Sequence, residues 1–130
     1  MIVTVLVKNR QTMDGETDIT TLSATGNWEN GVLAYETCED SVTDRTRLTV
    51  GETVTMERTG ALSSRLVFEK GVTHRCAYGT PYGTLDLLVT THRIVNKLTA
   101  TGGSLTLDYT LNAGGAPLHN EIEIVIKEVS

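Results

Sequence analysis

Apolar and polar residues alternate one for one over several long stretches of the chain. Near the C-terminus, Ile122, Ile124 and Ile126 share one side, whereas the other side carries Glu121, Glu123, Val125 and Lys127. Successive side chains of a β-strand point to opposite faces, so this period of two predicts a strand with one buried face. Two earlier segments repeat the pattern, with Leu105, Leu107, Tyr109 and Leu111 on one face of the later segment and Leu85, Leu87 and Val89 on one face of the other.

Short turn signals separate the alternating segments at a spacing typical of antiparallel hairpins. Asn30-Gly31 suits a type I′ turn because both residues tolerate positive φ, and Gly51-Glu52 suits a type II′ turn. Gly102-Gly103 and Gly114-Gly115 mark two further reversals. The predicted strands span residues 2–9, 17–28, 32–38, 45–50, 53–59, 63–69, 73–78, 84–92, 94–100, 104–112 and 118–128.

Amino-acid content supports strands rather than helices. The 130 residues include 22 threonines, 13 valines and 6 isoleucines, so about a third of the chain is β-branched. Such side chains favour the pleated backbone. Residues 61–70 come nearest to a short helix, and we interpret them as a strand. Residues 10–16 are predicted to form a polar loop at a mouth of the fold.

These strands predict one all-β domain over residues 1–130. A series of strands that each have one apolar face either closes on itself or packs as two sheets. Short connections favour the closed, up-and-down arrangement. We therefore predict a single antiparallel, mostly up-and-down β-barrel of eight or more strands. The interior of a barrel of about eight strands is filled by side chains or holds one small ligand.

A set of short motifs resembles the YwiB-like family of small bacterial proteins of unknown function. The motifs are Leu66 to Gly71, His74, Tyr78, Thr80 to Gly83 and Thr91, with Tyr35-Glu36 and Arg58-Thr59-Gly60 before them and Leu107-Asp108-Tyr109 and Glu123 to Ile126 after them. The resemblance covers nearly the whole chain in order. It implies a calycin-like, and hence lipocalin-like, β-barrel, and it implies no activity.

Charge and hydropathy narrow the classes of partner. The formal net charge of −5 provides no field for holding nucleic acid or an anionic membrane surface, so we expect neither partner. No run of 18 apolar residues is present. Met1 leads directly into Ile2-Val3-Thr4-Val5 without the features of a signal peptide, which predicts a cytoplasmic protein.

Arg58 is the most informative single residue. It shares a face with Val54 and Met56 on the strand of residues 53–59, so the alternation turns it toward the barrel interior. A guanidinium there requires a carboxylate or several acceptors. One interpretation is an anchor for an anion or carboxylate in a pocket. The other is an arginine at a strand end that reaches solvent or locks a turn. Glu36 is its partner only if its strand reverses its facing.

Tyr35, Tyr78 and Tyr82 form an aromatic set around the same motifs. As ligand-binding residues, together with Arg58, they would supply apolar walls and orienting hydroxyls. As structural residues, they would pack in the core and bond to the backbone, which is the commoner role of aromatic residues in strands. Thr80 to Gly83 suggests a sharp bend or bulge.

The sequence predicts neither a cofactor nor a metal site. His74, His92 and His119 lie on separate segments with no chelating spacing. Cys38 and Cys76 form no Cys-x-x-Cys motif and are expected to be free thiols. No nucleophile constellation, catalytic residue set or phosphate-binding loop is recognisable.

Three functions from different classes remain open. The first is a non-enzymatic barrel that binds a small amphipathic or anionic ligand. The alternative is a homo-oligomeric or protein-interaction module with a filled barrel, such as a homodimer, based on the outward apolar residues Val67, Leu88 and Val125. An enzyme is the third, and it would need a cleft that joins His74, Arg58 and a carboxylate.

Overall fold

The fold was analysed in a computed structural model that describes residues 1–60, 63–80 and 82–129, apart from the side chains of Glu39 and Thr80. Ten β-strands account for most of it. They are β1 (Ile2–Met13), β2 (Glu16–Glu29), β3 (Val32–Glu39), β4 (Val42–Val50), β5 (Val54–Thr59), β6 (Ser63–Phe68), β7 (Thr73–Thr80), β8 (Gly83–Thr99), β9 (Gly102–Asn112) and β10 (Leu118–Glu128).

The strands form a closed, antiparallel barrel in up-and-down order. Each strand pairs with the next along the chain, and β10 pairs with β1 to close the sheet. The predicted all-β barrel of eight or more strands is therefore confirmed. Within residues 1–60, 63–80 and 82–129, no helix is long and apolar enough to cross a membrane.

Two turn predictions had different outcomes. Asn30 and Gly31 have φ values of 51° and 78°, as a type I′ hairpin requires. Gly51 does not have the positive φ of a type II′ turn, because β4 and β5 are joined by three residues rather than two. In that connection the amide of Gly51 donates to the carbonyl oxygen of Thr53 at 3.0 Å.

The structure also tests the predictions for three segments of the chain. Residues 84–92 and 94–100 are one strand, β8, whose pairing shifts between Thr91 and Arg93. A β-bulge inserts one residue and so interrupts the alternation, which in sequence looks like a strand end. The loop predicted at residues 10–16 is wrong, because β1 and β2 continue to a two-residue turn. The segment 61–70 contains strand β6, as interpreted, with Ala61 and Leu62 outside the described residues.

The two ends of the barrel differ. We call the end that carries the turns after β2, β4, β6 and β8 the closed end, and the other the open end. Inward side chains of the closed half pack without exposure to solvent; they include Val3, Val5, Leu33, Leu48, Val54, Phe68, Val89, Leu105, Leu107, Ile124 and Ile126. Toward the open end, inward-facing Leu22 and Leu85 are 37% and 53% exposed. The barrel is thus filled in one half and open in the other.

Candidate functional site

A cavity of about 350 Å³ occupies the open half of the barrel. Its walls are mostly apolar, with a small number of polar groups, which is the usual composition of a small-molecule site. The lining residues are Asn9, Gln11, Met56, Arg58, Ser64, Leu66, Tyr78, Leu85, Leu87, Tyr109, Leu111, Leu118, Asn120 and Ile122. They come from seven strands, so the up-and-down order brings together residues that are far apart in sequence.

Arg58 is the single charged residue among the described lining residues. The register places it opposite Thr46 on β4 and Ser64 on β6, on the inward face that the alternation predicted. Its side chain is exposed toward the open end. No described residue forms a hydrogen bond or an ion pair with it. An arginine in this position keeps its guanidinium donors available to an anion.

Glu36 is not the partner of Arg58. It lies on the outer surface of β3, where Arg45 Nε is 2.8 Å from its Oε1. The strand does not reverse its facing. Leu33 and Tyr35 are both inward and buried, so the next residue, Glu36, points outward. The carboxylate that sequence reasoning considered for Arg58 is therefore committed to another arginine.

Tyr109 forms part of the floor of the cavity and is 5% exposed. Its ring centroid lies 4.6 Å from that of Phe68, with the planes tilted by 59°. Burial raises the pKa of Tyr109 to about 12, although the positive charge of Arg58 acts in the opposite direction. The phenol therefore stays protonated at neutral pH and presents a hydrogen-bond donor.

This pKa makes stability depend on pH in the alkaline range. An unfolded tyrosine ionises near pH 10, whereas folded Tyr109 ionises at about 12, so the unfolded state loses its proton first. Stability from this group is complete below pH 10 and is lost as pH rises toward 12, by up to about 3 kcal/mol. Urea unfolding of the wild type and of Tyr109→Phe at pH 8 and pH 11 should show a steeper loss in the wild type. Equal losses in both proteins would contradict the assignment.

Amide side chains form a polar strip along β1 and β10. Gln11 Nε2 donates to Asn120 Oδ1 at 2.8 Å, and Asn120 Nδ2 donates to the carbonyl oxygen of Leu118 at 3.1 Å. Beside them, the buried Oδ1 of Asn9 accepts no hydrogen bond from any described residue. An unsatisfied buried acceptor is costly, so the cavity favours an occupant that donates a hydrogen bond there.

The structure brings together two of the four predicted site residues. Arg58 and Tyr78 line the cavity. Tyr35 is inward and buried on β3, where it borders a separate groove of about 570 Å³ at the point where β2 and β3 separate. Tyr82 is 98% exposed. The alternation gives the facing of a residue but not which part of the barrel wall borders the cavity. Tyr35 is on β3, two strands away from Arg58, and no described residue of β2 to β4 lines the cavity, whereas Tyr82 lies in the connection between β7 and β8.

Sequence reasoning did not assign Tyr109, Asn9, Gln11 or Asn120 to a site. Tyr109 was correctly placed on the face of Leu107 and Leu111, and its phenol among leucines was the available signal. The amides had a weaker signal, because they continue inward apolar series toward the open end: Asn9 and Gln11 follow Val7 on β1, and Asn120 precedes Ile122 on β10.

The histidines and cysteines lie apart from this cavity. His74 Nε2 is 3.0 Å from Glu69 Oε1 near the closed end, so it does not share a cleft with Arg58. His119 Nε2 is 2.6 Å from Asp108 Oδ1, and its ring centroid is 6.0 Å from that of His92. In the described part of the chain, no three metal-ligating side chains cluster. Cys38 is exposed and Cys76 is buried, and both are free thiols.

Comparison with known proteins identifies the family. The family model described as "Domain of unknown function (DUF1934)" matches residues 5–126. The crystal structure of the YwiB protein from Bacillus subtilis is similar to this chain with a TM-score of 0.87 and 22% identity, over 99% of this chain and 92% of that one. A search of curated proteins found no match. The likeness to YwiB shows a common fold, and the family match over nearly the whole length shows that this chain belongs to the DUF1934 family.

Proposed function

We propose that this protein is a non-enzymatic, calycin-like barrel that binds a small amphipathic carboxylate in the cavity of its open half. The observation that carries the proposal is the isolated charge of Arg58 in a cavity whose described lining contains no carboxylate. Arg58 is exposed, so water hydrates its guanidinium in the empty cavity, and an anion that enters can replace this water with charge-assisted hydrogen bonds.

The apolar part of such a ligand would pack on the floor and walls of the cavity. Met56, Leu66 and Ile122 are buried at the floor, and the walls carry leucines of β8, β9 and β10. Burial of an alkyl chain contributes about 0.8 kcal/mol per methylene group. A ligand with a short apolar tail therefore fits this surface better than a fully polar anion does.

The neutral polar groups would orient the ligand. The protonated hydroxyl of Tyr109 and the hydroxyl of Tyr78 can donate, while Asn9 Oδ1 can accept. A carboxylate held by Arg58 could also accept a bond from a tyrosine, and a hydroxyl on the ligand could satisfy Asn9. No step of this binding requires a cofactor, a nucleic acid or a membrane, and the cytoplasmic location stays a prediction.

Titration of the full-length protein with octanoate, followed by calorimetry, tests the proposal. We expect saturable binding in the wild type and a Kd about tenfold to a hundredfold higher for Arg58→Gln, because a charge-assisted hydrogen bond contributes about 1.5–3 kcal/mol. Octanol should bind the wild type more weakly than octanoate, and Arg58→Gln should not distinguish the two.

Arg65→Gln is the matched control. Arg65 lies on neighbouring β6 and is exposed on the outer face opposite Glu57, so its removal should leave octanoate binding unchanged. Absence of binding across alkyl carboxylates of different length would refute the proposal. Equal affinity of the wild type and Arg58→Gln would refute the role of Arg58.

The alternative is an interaction module with a filled barrel. The outward apolar residues on which the sequence analysis based it support it less well in the structure. Val67 and Val125 are half-buried, and Leu88 is 41% exposed, so they do not form a single exposed apolar surface. The barrel is also filled only in its closed half. A different feature of the surface supports self-association independently of the ligand, and it is described next.

A further inference from the structure

The outer edge of β2 is unpaired over most of its length. β2 bonds to β1 from Glu16 to Asn27, but β3 meets it only from Gly26 to Glu29. From Glu16 to Thr25, no residue that the structure describes pairs with this second edge. Below this stretch lies the outer groove, at the point where β2 and β3 separate. We call residues Glu16 to Thr25 the free segment.

The backbone pattern shows which groups the free segment presents. The amide of Trp28 donates to the carbonyl oxygen of Met1 at 2.9 Å, so even-numbered residues of β2 bond toward β1. In an antiparallel pair the bonding direction alternates with each residue. The N–H and C=O groups of Thr17, Ile19, Thr21, Ser23 and Thr25 therefore point away from β1, along the free edge.

The central part of this edge lacks the usual protection against pairing. Exposed edges commonly carry lysine, proline, a bulge or an inward charge. The free segment has an inward charge, Asp18 near the open end, but from Ile19 to Thr25 it contains no lysine, proline or charge. It is rich in threonine and exposes Ile19 by 57%. Such a strand has a high propensity to pair.

Neighbouring strands also separate between β6 and β7, but there side chains bridge the separation. β6 and β7 pair only at Ser63 and Ser64, and then diverge. There the amide of Val67 donates to Cys76 Sγ at 3.4 Å, and His74 contacts Glu69 at 3.0 Å. Side chains thus satisfy and cover that separation, whereas none of the described residues does so along the free segment.

We propose that the free segment pairs with the same segment of a second copy of this chain, antiparallel and centred on Thr21, to form a two-fold dimer. In this register Thr21 faces Thr21 of the second copy, Ile19 faces Ser23, and Thr20 faces Leu22. Inward positions stay opposite inward positions, so both sheets continue without a change of face. Asp18 faces Ala24, so no like charges oppose one another. A two-fold axis makes one unprotected edge sufficient for both partners.

Two substitutions at the centre of the pairing test the dimer without disturbing the barrel. Thr21→Pro removes an N–H that points to the free edge and takes part in no bond to β1. Thr21→Lys places two like charges at the two-fold axis. Thr49→Lys is the matched control, because Thr49 is also exposed and outward but sits on β4 between two paired neighbours.

Sedimentation velocity on the full chain over a wide concentration range provides the readout. We expect the wild type and Thr49→Lys to form dimers and both Thr21 variants to be monomers, with far-ultraviolet circular dichroism and melting temperature near the wild-type values at low concentration. Hydrogen exchange should show protection at Ile19, Thr21 and Ser23 that increases with concentration.

A wild type that stays monomeric at every concentration would overturn the proposal, and so would a dimer that persists in Thr21→Lys. Capture of an extended peptide from another protein by a monomeric wild type would equally count against it. The result is independent of the ligand, because Thr21 does not line the cavity and the Thr21 variants should retain octanoate binding that depends on Arg58.

Discussion

Replacement of Ile124 by aspartate should abolish folding of the barrel. Ile124 is 1% exposed and lies inward on β10, between Leu105 of β9 and Val7 of β1. An isolated carboxylate at this position would lose its hydration with no partner, or fold only as the neutral acid. Together with the lost apolar burial, the cost should exceed about 5 kcal/mol, which is comparable to the whole stability of a small domain. Circular dichroism and urea unfolding measure it.

Val125→Asp provides the matched control one residue along the same strand. Val125 faces outward between Leu6 and Ser104 and is half-buried. The same change there should cost about 1 kcal/mol or less, because the carboxylate keeps contact with water. Similar effects at the two positions would contradict the inward and outward assignment of β10.

Replacement of Phe68 by alanine should cost about 3–5 kcal/mol of unfolding free energy. The side chain is fully buried in the closed half, and its ring packs at 4.6 Å from the ring of Tyr109. Truncation loses the transfer free energy of the ring and leaves a cavity that the neighbouring strands cannot close. Urea denaturation with a fitted midpoint and slope measures the loss.

The size of this loss should depend on volume and burial rather than on aromaticity. Phe68→Leu retains most of the apolar volume, so it should cost clearly less than Phe68→Ala. Tyr82→Ala removes a ring that is 98% exposed and buries little apolar surface, so it should cost clearly less than Phe68→Ala. A loss for Phe68→Ala no larger than that for Tyr82→Ala would show that the closed half is not packed as described.

The sequence was sufficient to predict most of the fold because one local rule governs it. When strands that alternate apolar and polar residues close into a barrel, their apolar faces must point inward. Short turns make strands that follow one another in sequence pair with one another. Ile122, Ile124 and Ile126 are buried as predicted. The alternation failed at the bulge of β8, because the interruption looks like a strand end in sequence and only the pairing with β9 shows that the strand continues.

The candidate site was predictable only in part. Alternation identified the inward facing of Arg58, and it placed Tyr109 correctly among the leucines of β9. Which part of the wall borders the cavity depends on how the strands close into the barrel, and no single segment encodes it. Tyr35, two strands away from Arg58, and Tyr82, between β7 and β8, therefore fell outside the cavity, whereas Gln11 and Asn120 came together from opposite ends of the chain.

The outer edge of β2 shows a similar limit. The predicted loop of residues 10–16 includes only the first residue of β2, Glu16, and residues 17–28 were predicted as a strand although both faces of its first half are exposed. The strand is held by β1, which pairs with it from Glu16 to Asn27. A local sequence pattern does not show which strand, in the same chain or in a second copy, pairs with a given segment.

A nuclear magnetic resonance titration of the labelled full-length protein with octanoate addresses the binding cavity itself. The account predicts shifts of the Arg58 Nε–Hε signal and of the methyl groups of Leu87, Leu111 and Leu118 in the open half, with little change at Leu33, Leu48 and Leu105 in the closed half. Shifts confined to the outer groove around Ala34 and Arg47, or no shifts at saturating octanoate, would contradict it.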